Sequence, residues 1–332
     1  MTEGRAAHSR GGVRHTRGVT PAAELGAGRQ QLFGLAYRLL GAADEAEDAV
    51  DDAYRRWKRP GSEVTAHSRE SLTAVVTRLC LVRLRAVRAG REDYRGPWLP
   101  APVLTDALGP LPTAEQRDSV SLALLVLLER RTPHERAVFV LRTAFEYRYR
   151  AIAEILELSP GNCRQLYHRT TQHLASRRPP RQPDRGERVR LAGQFLAAIR
   201  AGELGALEAI LARDVTLWAD GVRRVATAPR PVEGREQVAC FLVAAFRRIA
   251  VPVKFGFAEV NAGTAILAVA GGTLLAVVAM EIENGRIVGL RIVAKPEKLS
   301  FVAHGLSARP EAGCVSGESP ARRSTQELRE PR

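Results

Sequence analysis

The spacing of apolar residues changes along this chain, and that change limits the folds open to it. Up to about residue 177 apolar residues recur every three or four positions, as in Ala46, Ala49, Val50, Ala53, Tyr54 and Trp57, which is typical of amphipathic helices. Beyond residue 250 they gather in short β-rich runs, at 251–259, 264–270, 273–282 and 286–293, and Asn284-Gly285 indicates a hairpin. This order predicts all-α domains followed by an α+β domain with an antiparallel sheet.

Proline-rich segments divide the sequence into domains. Residues 95–118 contain five prolines, and residues 178–185 are rich in proline and arginine, so both predict linkers. Both ends of the chain are polar and aperiodic, which predicts disordered tails. We therefore expect a tail, a helical domain, a linker, a second helical domain, an α+β domain and a tail, at 1–28, 29–95, 96–118, 119–178, 186–302 and 303–332.

Net charge points to a polyanionic partner. The 332 residues carry a formal charge of +14, which favours nucleic acid, with a generic basic surface as the alternative. Four widely spaced cysteines without a CxxC pair argue against a disulfide scaffold or a zinc site. No apolar run reaches the roughly 18 residues of a membrane span, and there is no apolar segment of the secretory kind. We expect a soluble cytoplasmic protein with no metal or cofactor.

Acidic and basic residues are separated within the first helical domain. Six acids lie in 44–52, with no basic residue between Arg38 and Arg55. Five arginines lie in a stretch that has no acid between Glu70 and Glu92. Phosphates repel an acidic helix, which therefore suits a basic protein groove, whereas the arginine-bearing helix can meet phosphates. The alternative interpretation is two solvated helix faces.

A tight turn in the second helical domain predicts a helix-turn-helix. Residues 149–157 form a short helical pattern, Leu158-Ser159 makes the turn, and Ser159 and Pro160 suit the N-cap and first position of the next helix.

The start of that second helix carries residues that can read bases. Asn162 and Gln165 suit adenine and Arg164 suits guanine, and no acid occurs between Glu157 and Asp184. A plain helical hairpin with a solvated polar face is the alternative; the acid-free run favours DNA.

Three segments resemble the extracytoplasmic function sigma factors of the sigma-70 family. The segment LFGLAYRLLGAADEAEDAVDDAYRRW (32–57) resembles region 2, and ERAVFVLRTAFEYRYRAIAEILELSPGNCRQLYHRTTQHL (135–174) resembles region 4. The linker motif GPWLPAP (96–102) and the C-terminal domain resemble the subgroup with a fused SnoaL-like domain, a cone-shaped barrel of the nuclear transport factor 2-like fold. The resemblance covers residues 29–302.

The resemblance implies a role for each helix. The acidic helix would bind the clamp helices of the polymerase largest subunit through Asp44, Glu47, Asp48, Asp51, Asp52 and Trp57. The next helix would read and help melt the −10 element through Arg78, Arg83, Arg85, Arg88 and Arg91. The helix after the turn would read the −35 element through Ser159, Pro160, Asn162, Arg164, Gln165, His168 and Arg169. Family members commonly have glutamine at the position of Asp51, which we expect to alter a contact and not the function.

The resemblance also implies that the C-terminal domain tunes activity in place of a separate anti-sigma protein. Two family motifs lie there, a DGGG loop and a terminal NPDKL, and both are altered in this chain. Their counterparts are Asp220 and Gly221 for the first, and Lys295, Pro296, Glu297, Lys298 and Leu299 for the second.

The C-terminal domain lacks the usual residues of its enzymatic relatives. No histidine lies between His173 and His304, so a histidine-based acid–base pair is unavailable within the predicted domain. Its acids are scattered, and its large apolar residues predict a core and not a ligand box: Trp218, Phe241, Phe246, Phe255, Phe257 and Met280. We expect no catalytic residue and a pocket that serves contact or sensing, with room for a small ligand.

The sequence thus predicts a sigma factor that binds core RNA polymerase and promoter DNA and is not itself an enzyme. Two alternatives stay open. A stand-alone helix-turn-helix regulator would bind DNA without polymerase, but it leaves the acidic helix unexplained. A small-molecule enzyme of the SnoaL-like class fused to DNA-binding helices would need catalytic groups that the sequence does not offer.

Overall fold

Three helices form the first domain. The structure is a computed structural model that describes residues 21–57, 68–91, 97–175, 183–221, 228–249 and 251–308. The helices are α1 (Pro21–Leu40), α2 (Ala43–Trp57) and α3 (Ser68–Arg91). Helix α1 begins inside the segment predicted to be a disordered tail over 1–28, so that boundary was wrong. Proline suits the first turn of a helix, and the Ala-Ala-Glu-Leu that follows consists of strong helix formers.

The second helical domain follows a segment that is packed and not free. Residues 97–113 include a short 3-10 turn at Thr105–Leu108, and α4 (Ala114–Asp118) occupies the end of the predicted linker. Leu99, Val103 and Leu108 in this segment are buried. The remaining helices are α5 (Leu122–Glu129), α6 (Pro133–Thr143), α7 (Tyr149–Leu156) and α8 (Pro160–Ala175).

The C-terminal domain combines helices with a six-stranded sheet. Its helices are α9 (Arg185–Ala201), α10 (Leu204–Ile210), α11 (Arg235–Arg247) and α12 (Pro296–Ser307). Its strands are β1 (Leu211–Gly221), β2 (Val232–Glu233), β3 (Lys254–Val260), β4 (Gly263–Ala270), β5 (Thr273–Glu283) and β6 (Arg286–Ala294), in the order β2-β1-β6-β5-β4-β3. The predicted α+β layout is confirmed.

The sheet is mixed, whereas the sequence predicted an antiparallel one. Strands β3 to β6 form the antiparallel meander that the turns indicated, and Asn284 and Gly285 both have positive φ, as a two-residue hairpin requires. Strand β1, however, pairs in parallel with β6, with Trp218 opposite Arg291. Strand β2 pairs with β1, and the chain then crosses through α11 to β3 at the far edge of the sheet. The meander returns from β3 to β6, which lies beside β1 and runs in the same direction.

The two faces of the sheet are covered by different parts of the chain. One face packs against α9, α10 and α11, where Phe255 and Met280 are buried and Phe241, Phe246 and Phe257 pack around them, as predicted. The opposite face carries Trp218 and packs against Leu99, Leu104, Leu299 and Val302. The linker and α12 therefore lie on that second face.

Helix α12 ends at Ser307, beyond the predicted domain boundary at 302. Leu299, Val302 and Leu306 share one packed face at helical spacing, and this explains why the helix continues into the segment predicted to be a tail. Residues 309–332 lie outside the described residues. Within the described ranges, no helix has both the length and the apolar character that a membrane span requires.

Candidate nucleic-acid and protein interfaces

Helix α2 presents acids to solvent. Its apolar residues Ala46, Ala49, Val50 and Ala53 are buried against α1 and α3, which turns the carboxylates outward. Asp44, Glu47 and Asp48 are exposed. Partial burial, together with the neighbouring acids Asp51, Asp44 and Asp48, raises the pKa of Glu47, and Arg29 opposes that rise. Like charges crowded on one face oppose folding, which is typical of a surface kept for a partner.

The C-terminal half of α2 is partly engaged within the domain. Asp51 lies 2.6 Å from Arg29, and Asp52 lies 2.6 Å from Arg83 on α3. Trp57 is half-buried with its ring edge-on to Tyr54, at 6.3 Å between centroids. The glutamine usual in the family would replace a charged partner of Arg29 by a neutral one, which agrees with the expectation of an altered contact.

The arginines of α3 are not equivalent. Arg83 donates to the carbonyl oxygen of Glu45 at 2.5 Å as well as to Asp52, so it ties α3 to α2. Arg78 lies 3.3 Å from Glu157, and Arg85 is exposed. The side chains of Arg88 and Arg91 lie outside the described residues.

The tight turn has the predicted helix-turn-helix geometry. Helix α7 ends at Leu156, and its C-cap residue Glu157 has the left-handed φ of 57° and ψ of 44° that turns the chain. Ser159 Oγ accepts from the backbone N–H of Asn162 at 3.1 Å, and Pro160 opens α8. Both capping predictions are confirmed, and α8 is anchored by buried Cys163, Thr170 and Leu174.

The outward face of α8 is open. All seven residues predicted to meet the −35 element are exposed: Ser159, Pro160, Asn162, Arg164, Gln165, His168 and Arg169. The Arg164 guanidinium lies 5.6 Å from the centre of the Tyr149 ring, and Arg169 lies 3.6 Å from Glu135. Helix α8 therefore presents a basic, polar face to solvent, and its N-terminal residues are the most accessible part for a groove of DNA.

The two helical domains pack against each other. Ile152, Ile155 and Leu156 of α7 belong to the same apolar core as Val76 and Leu79 of α3. Arg78 also donates from Nε to the carbonyl oxygen of Ile155 at 3.4 Å. The arginine-bearing helix thus lies against the helix-turn-helix in this arrangement.

The altered family motifs meet at the linker. Asp220 is 3% exposed, and its carboxylate accepts from the N–H of Leu99 at 3.0 Å and from Lys298 at 2.5 Å. Lys298 also donates to the carbonyl oxygen of Leu99 at 2.6 Å and lies 4.7 Å from the Trp98 ring centre. We call Asp220, Lys298 and Leu99 the linker latch. The sequence did not identify Leu99 as the partner of the motifs.

The other predicted motif residues surround the latch. Lys295 Nζ lies 3.6 Å from Asp220, Gly221 pairs with Ala294 across the sheet, and Pro296 starts α12. Leu299 is buried and Glu297 is exposed.

A hairpin of the C-terminal sheet enters the junction of the other domains. Asn261, 4% exposed with φ 51°, donates through Nδ2 to Tyr37 Oη and to the carbonyl oxygen of Val120, both at 2.7 Å. Its Oδ1 accepts from the N–H of Val103 at 3.0 Å. One side chain thereby joins the first helical domain, the linker and the second helical domain. Sequence analysis missed this role, because the Asn-Ala-Gly pattern signals only a turn.

Helix α12 reaches the acidic face of α2. Phe301 stacks on Phe33 of α1 with 5.2 Å between ring centroids. A groove of about 600 Å³ between the domains is lined by Asp44 and Glu47 on one side and by His304 on the other. The described residues contain no cluster of three or more His, Cys, Asp or Glu suited to a metal ion.

Known proteins resemble both the sequence and the structure. Residues 121–174 match the family "Sigma-70, region 4". The chain is 35% identical over 286 residues to the ECF RNA polymerase sigma factor SigJ of Mycobacterium tuberculosis (strain ATCC 25618 / H37Rv), covering 82% of this chain and 91% of SigJ. It is 29% identical over 274 residues to the probable ECF RNA polymerase sigma factor SigI of the same strain, covering 82% and 92%.

A crystal structure extends the likeness to the fold. The extracytoplasmic function sigma factor SigJ of Mycobacterium tuberculosis superposes with a TM-score of 0.66 at 31% identity, covering 84% of this chain and 98% of that one. The match therefore spans the helical domains and the sheet domain together. The chain belongs to the extracytoplasmic function family of RNA polymerase sigma factors.

Proposed function

We propose that this protein directs core RNA polymerase to promoters with α2 on the polymerase and α3 and α8 on DNA. The observation that carries the proposal is the separation of charge at the surface. Helix α2 exposes Asp44, Glu47 and Asp48, whereas α8 exposes Arg164 and Arg169. The proposed domains are region 2 over 29–95, region 4 over 119–178 and a SnoaL-like regulatory domain over 186–302, with α1 and α12 extending the first and last.

The acidic helix is the proposed polymerase contact. Asp44, Glu47 and Asp48 are free to meet basic groups, and Asp51, Asp52 and Trp57 extend the same helix. Complementary charge across an interface speeds association and fixes the register of the partners. Like charges that face each other cost on the order of several kcal/mol, so reversing a charge at the centre of this face should abolish binding.

Helix α8 is the proposed reader of the −35 element. A recognition helix reads base edges through its N-terminal residues, which here are Asn162, Arg164 and Gln165. Arg169 and His168, one turn further on, suit phosphates and the groove wall.

Reading both promoter elements requires a more open arrangement. The −35 and −10 elements lie about 25 base pairs apart, roughly 85 Å at 3.4 Å per base pair. A compact chain of this length has a radius of gyration of about 20 Å. Because α3 packs against α7, and α7 joins α8 through the three-residue turn 157–159, α3 and α8 reach the two elements only after the helical domains separate.

The C-terminal domain is proposed to tune activity by holding the arrangement in which α3 packs against α7, which we call the closed arrangement. It contacts the first helical domain through Asn261 and Tyr37, the second through Asn261 and Val120, and the linker through the latch. Helix α12 also narrows access to Asp44 and Glu47. Polymerase would have to displace these contacts.

The proposal gives the C-terminal domain a regulatory role and no catalytic one. Its most buried acid, Asp220, is engaged by the linker latch, which leaves it unsuited to acid–base chemistry. We also propose that this domain binds a small ligand and that the protein acts in the cytoplasm, where RNA polymerase is located.

Charge reversal on α2 tests the proposal. Asp48→Arg should abolish co-purification with core polymerase and run-off transcription, while the melting temperature and binding to −35 DNA stay unchanged. Asp214→Arg, at an exposed acid on β1, is the matched control and should behave like the parent. If the Asp48→Arg variant binds polymerase as tightly as the parent, α2 is not part of the polymerase interface.

A further inference from the structure

Val82 on α3 is apolar and yet faces solvent. It is 63% exposed, more than any other large apolar residue in the described part of the chain. The other exposed ones are Val189, Leu204 and Val251, and all three lie in the C-terminal domain. Single exposed apolar residues are common on protein surfaces, so exposure alone assigns no function. The neighbours of Val82 decide what it can contact.

Val82 lies in the middle of the basic face of α3. Arg78 precedes it by one turn, and Arg85 and Ala86 follow it by one turn, so helical spacing places the four on one side of the helix. All four are exposed, whereas Leu84 points into the core of the domain. A substitution at Val82 therefore changes this face and leaves the core intact.

The two arginines that flank Val82 are available to phosphates. Helix α3 carries no acid beyond its first turn. Arg85 makes no ion pair with any residue that the structure describes. Arg78 pairs with Glu157 at 3.3 Å, but Glu157 belongs to the turn between α7 and α8, so this contact ends when the helical domains separate.

The spacing of the two arginines directs Val82 toward bases. Arg78 and Arg85 are separated by about 10 Å along the helix, at 1.5 Å per residue. This span equals about three base pairs at 3.4 Å each. Phosphate contacts at the two ends fix the position of the helix on DNA and carry no sequence information themselves. The residue between them is the one placed to meet a base edge.

The chemistry of valine limits which base it can recognise. Its side chain neither donates nor accepts a hydrogen bond, and its branched Cβ restricts it to few conformations, so a contact costs little entropy. Among the groups that the bases present in the major groove, the apolar one is the C5 methyl group of thymine. Valine therefore favours thymine, whereas arginine favours guanine.

We propose that Val82 recognises a thymine of the −10 element through the C5 methyl group of that base. The inference rests on the function proposed above, in which α3 meets the −10 element. It adds a base-specific contact to a helix face whose arginines suit phosphates.

Replacing thymine by uracil tests the inference, because uracil pairs identically and lacks only the methyl group. The full chain with core polymerase first selects a −10 region from a randomised promoter library, and each thymine in that region is then replaced by uracil. We expect one replacement to lower open-complex formation roughly fourfold, the effect of one buried methyl group. A selected region without thymine, or equal open-complex formation with thymine and uracil at every position, overturns the inference.

An alanine variant links the methyl effect to Val82. On the thymine promoter, Val82→Ala should lose open complexes at least as far as uracil lowers them in the parent, and uracil should then cause no further loss. Val189→Ala, at an exposed valine on α9, is the control and should keep the full uracil effect. An undiminished uracil effect in Val82→Ala contradicts the assignment. Weaker binding of Val82→Ala to core polymerase without DNA also contradicts it, because Val82 would then contact polymerase.

Arg85→Ala separates this inference from the proposed function. If Arg85→Ala forms open complexes as well as the parent, α3 does not meet the −10 element and both proposals fail. If Arg85→Ala is impaired while uracil has no effect in the parent, α3 meets DNA and the methyl contact alone is wrong.

Discussion

Asn261→Ala should open the closed arrangement, because Asn261 holds three segments together through hydrogen bonds of 2.7, 2.7 and 3.0 Å. Its partners Tyr37, Val103 and Val120 are all fully buried. Each bond contributes about 1 kcal/mol net, and orphaned buried partners add to the loss. The closed arrangement should therefore lose about 3 kcal/mol, which shifts its equilibrium with open forms roughly 100-fold.

The assay is the affinity of the full chain for core polymerase. Because polymerase is proposed to bind open forms more tightly than the closed form, its apparent dissociation constant falls as the open fraction rises. We expect Asn261→Ala to bind up to roughly 100-fold more tightly, with the gain ending once open forms dominate. Small-angle scattering of the free protein should show a larger radius of gyration.

Asn284→Ala supplies the matched control. Asn284 also has a left-handed backbone, with φ 50°, but it is exposed at the tip of another hairpin. Both variants place alanine in a strained turn at a cost of about 1 kcal/mol, and only Asn261→Ala removes contacts between domains. Equal polymerase affinity in the two variants, with circular dichroism unchanged, would refute the reasoning.

Three further predictions concern the latch, α3 and α8. Lys298→Met should lower the free energy of unfolding by about 1–3 kcal/mol, because it leaves the buried Asp220 without its main donor. The control Lys254→Met, at an exposed lysine on β3, should leave the thermal unfolding curve of the protein unchanged. Arg83→Ala should cost about 1 kcal/mol of folding stability, since the pair with Asp52 is part-exposed. Arg85→Ala should impair open-complex formation on promoter DNA and leave the thermal unfolding of the protein unchanged. Loss of stability in Arg85→Ala together with loss of open complexes in Arg83→Ala alone would exchange their roles. Arg164→Ala should weaken binding to −35 DNA by roughly 1–3 kcal/mol. Arg190→Ala, at an exposed arginine on α9, is the control. In a gel-shift assay, an equal loss on random DNA would make Arg164 a phosphate contact instead of a base contact.

Local chemistry made the helix-turn-helix predictable. Ser159 and Pro160 fix where α8 begins, and the spacing of apolar residues fixes which side of α2 and α8 faces outward. These signals act within a few residues of one another, so they survive any arrangement of the domains. The same logic placed the hairpin between β5 and β6 through Asn284-Gly285.

Long-range contacts could not be predicted in this way. Asn261 reaches Tyr37 across 224 positions, and Asp220 reaches Leu99 across 121. Neither residue stands out by periodicity, because a single buried polar side chain interrupts no pattern. The prediction of an antiparallel sheet missed the parallel pairing of β1 with β6 for the same reason. Strand-like spacing shows that a strand exists but does not identify its neighbour.

The closed arrangement covers the proposed surfaces unequally, and this gives an order to initiation. Helix α8 is open and Asp48 is exposed, so −35 DNA and polymerase can both make first contact with the closed protein. Helix α3 lies against α7 through an apolar interface, which neither water nor DNA phosphates can replace at low cost. A partner can shift this equilibrium only by binding the open form more tightly than the closed one. The proposed polymerase contact on α2 is partly covered by α12 in the closed arrangement, where Asp44 and Glu47 line the groove beside His304. Polymerase is therefore the partner expected to supply that difference, so engagement of the −10 element should follow binding of polymerase and not precede it.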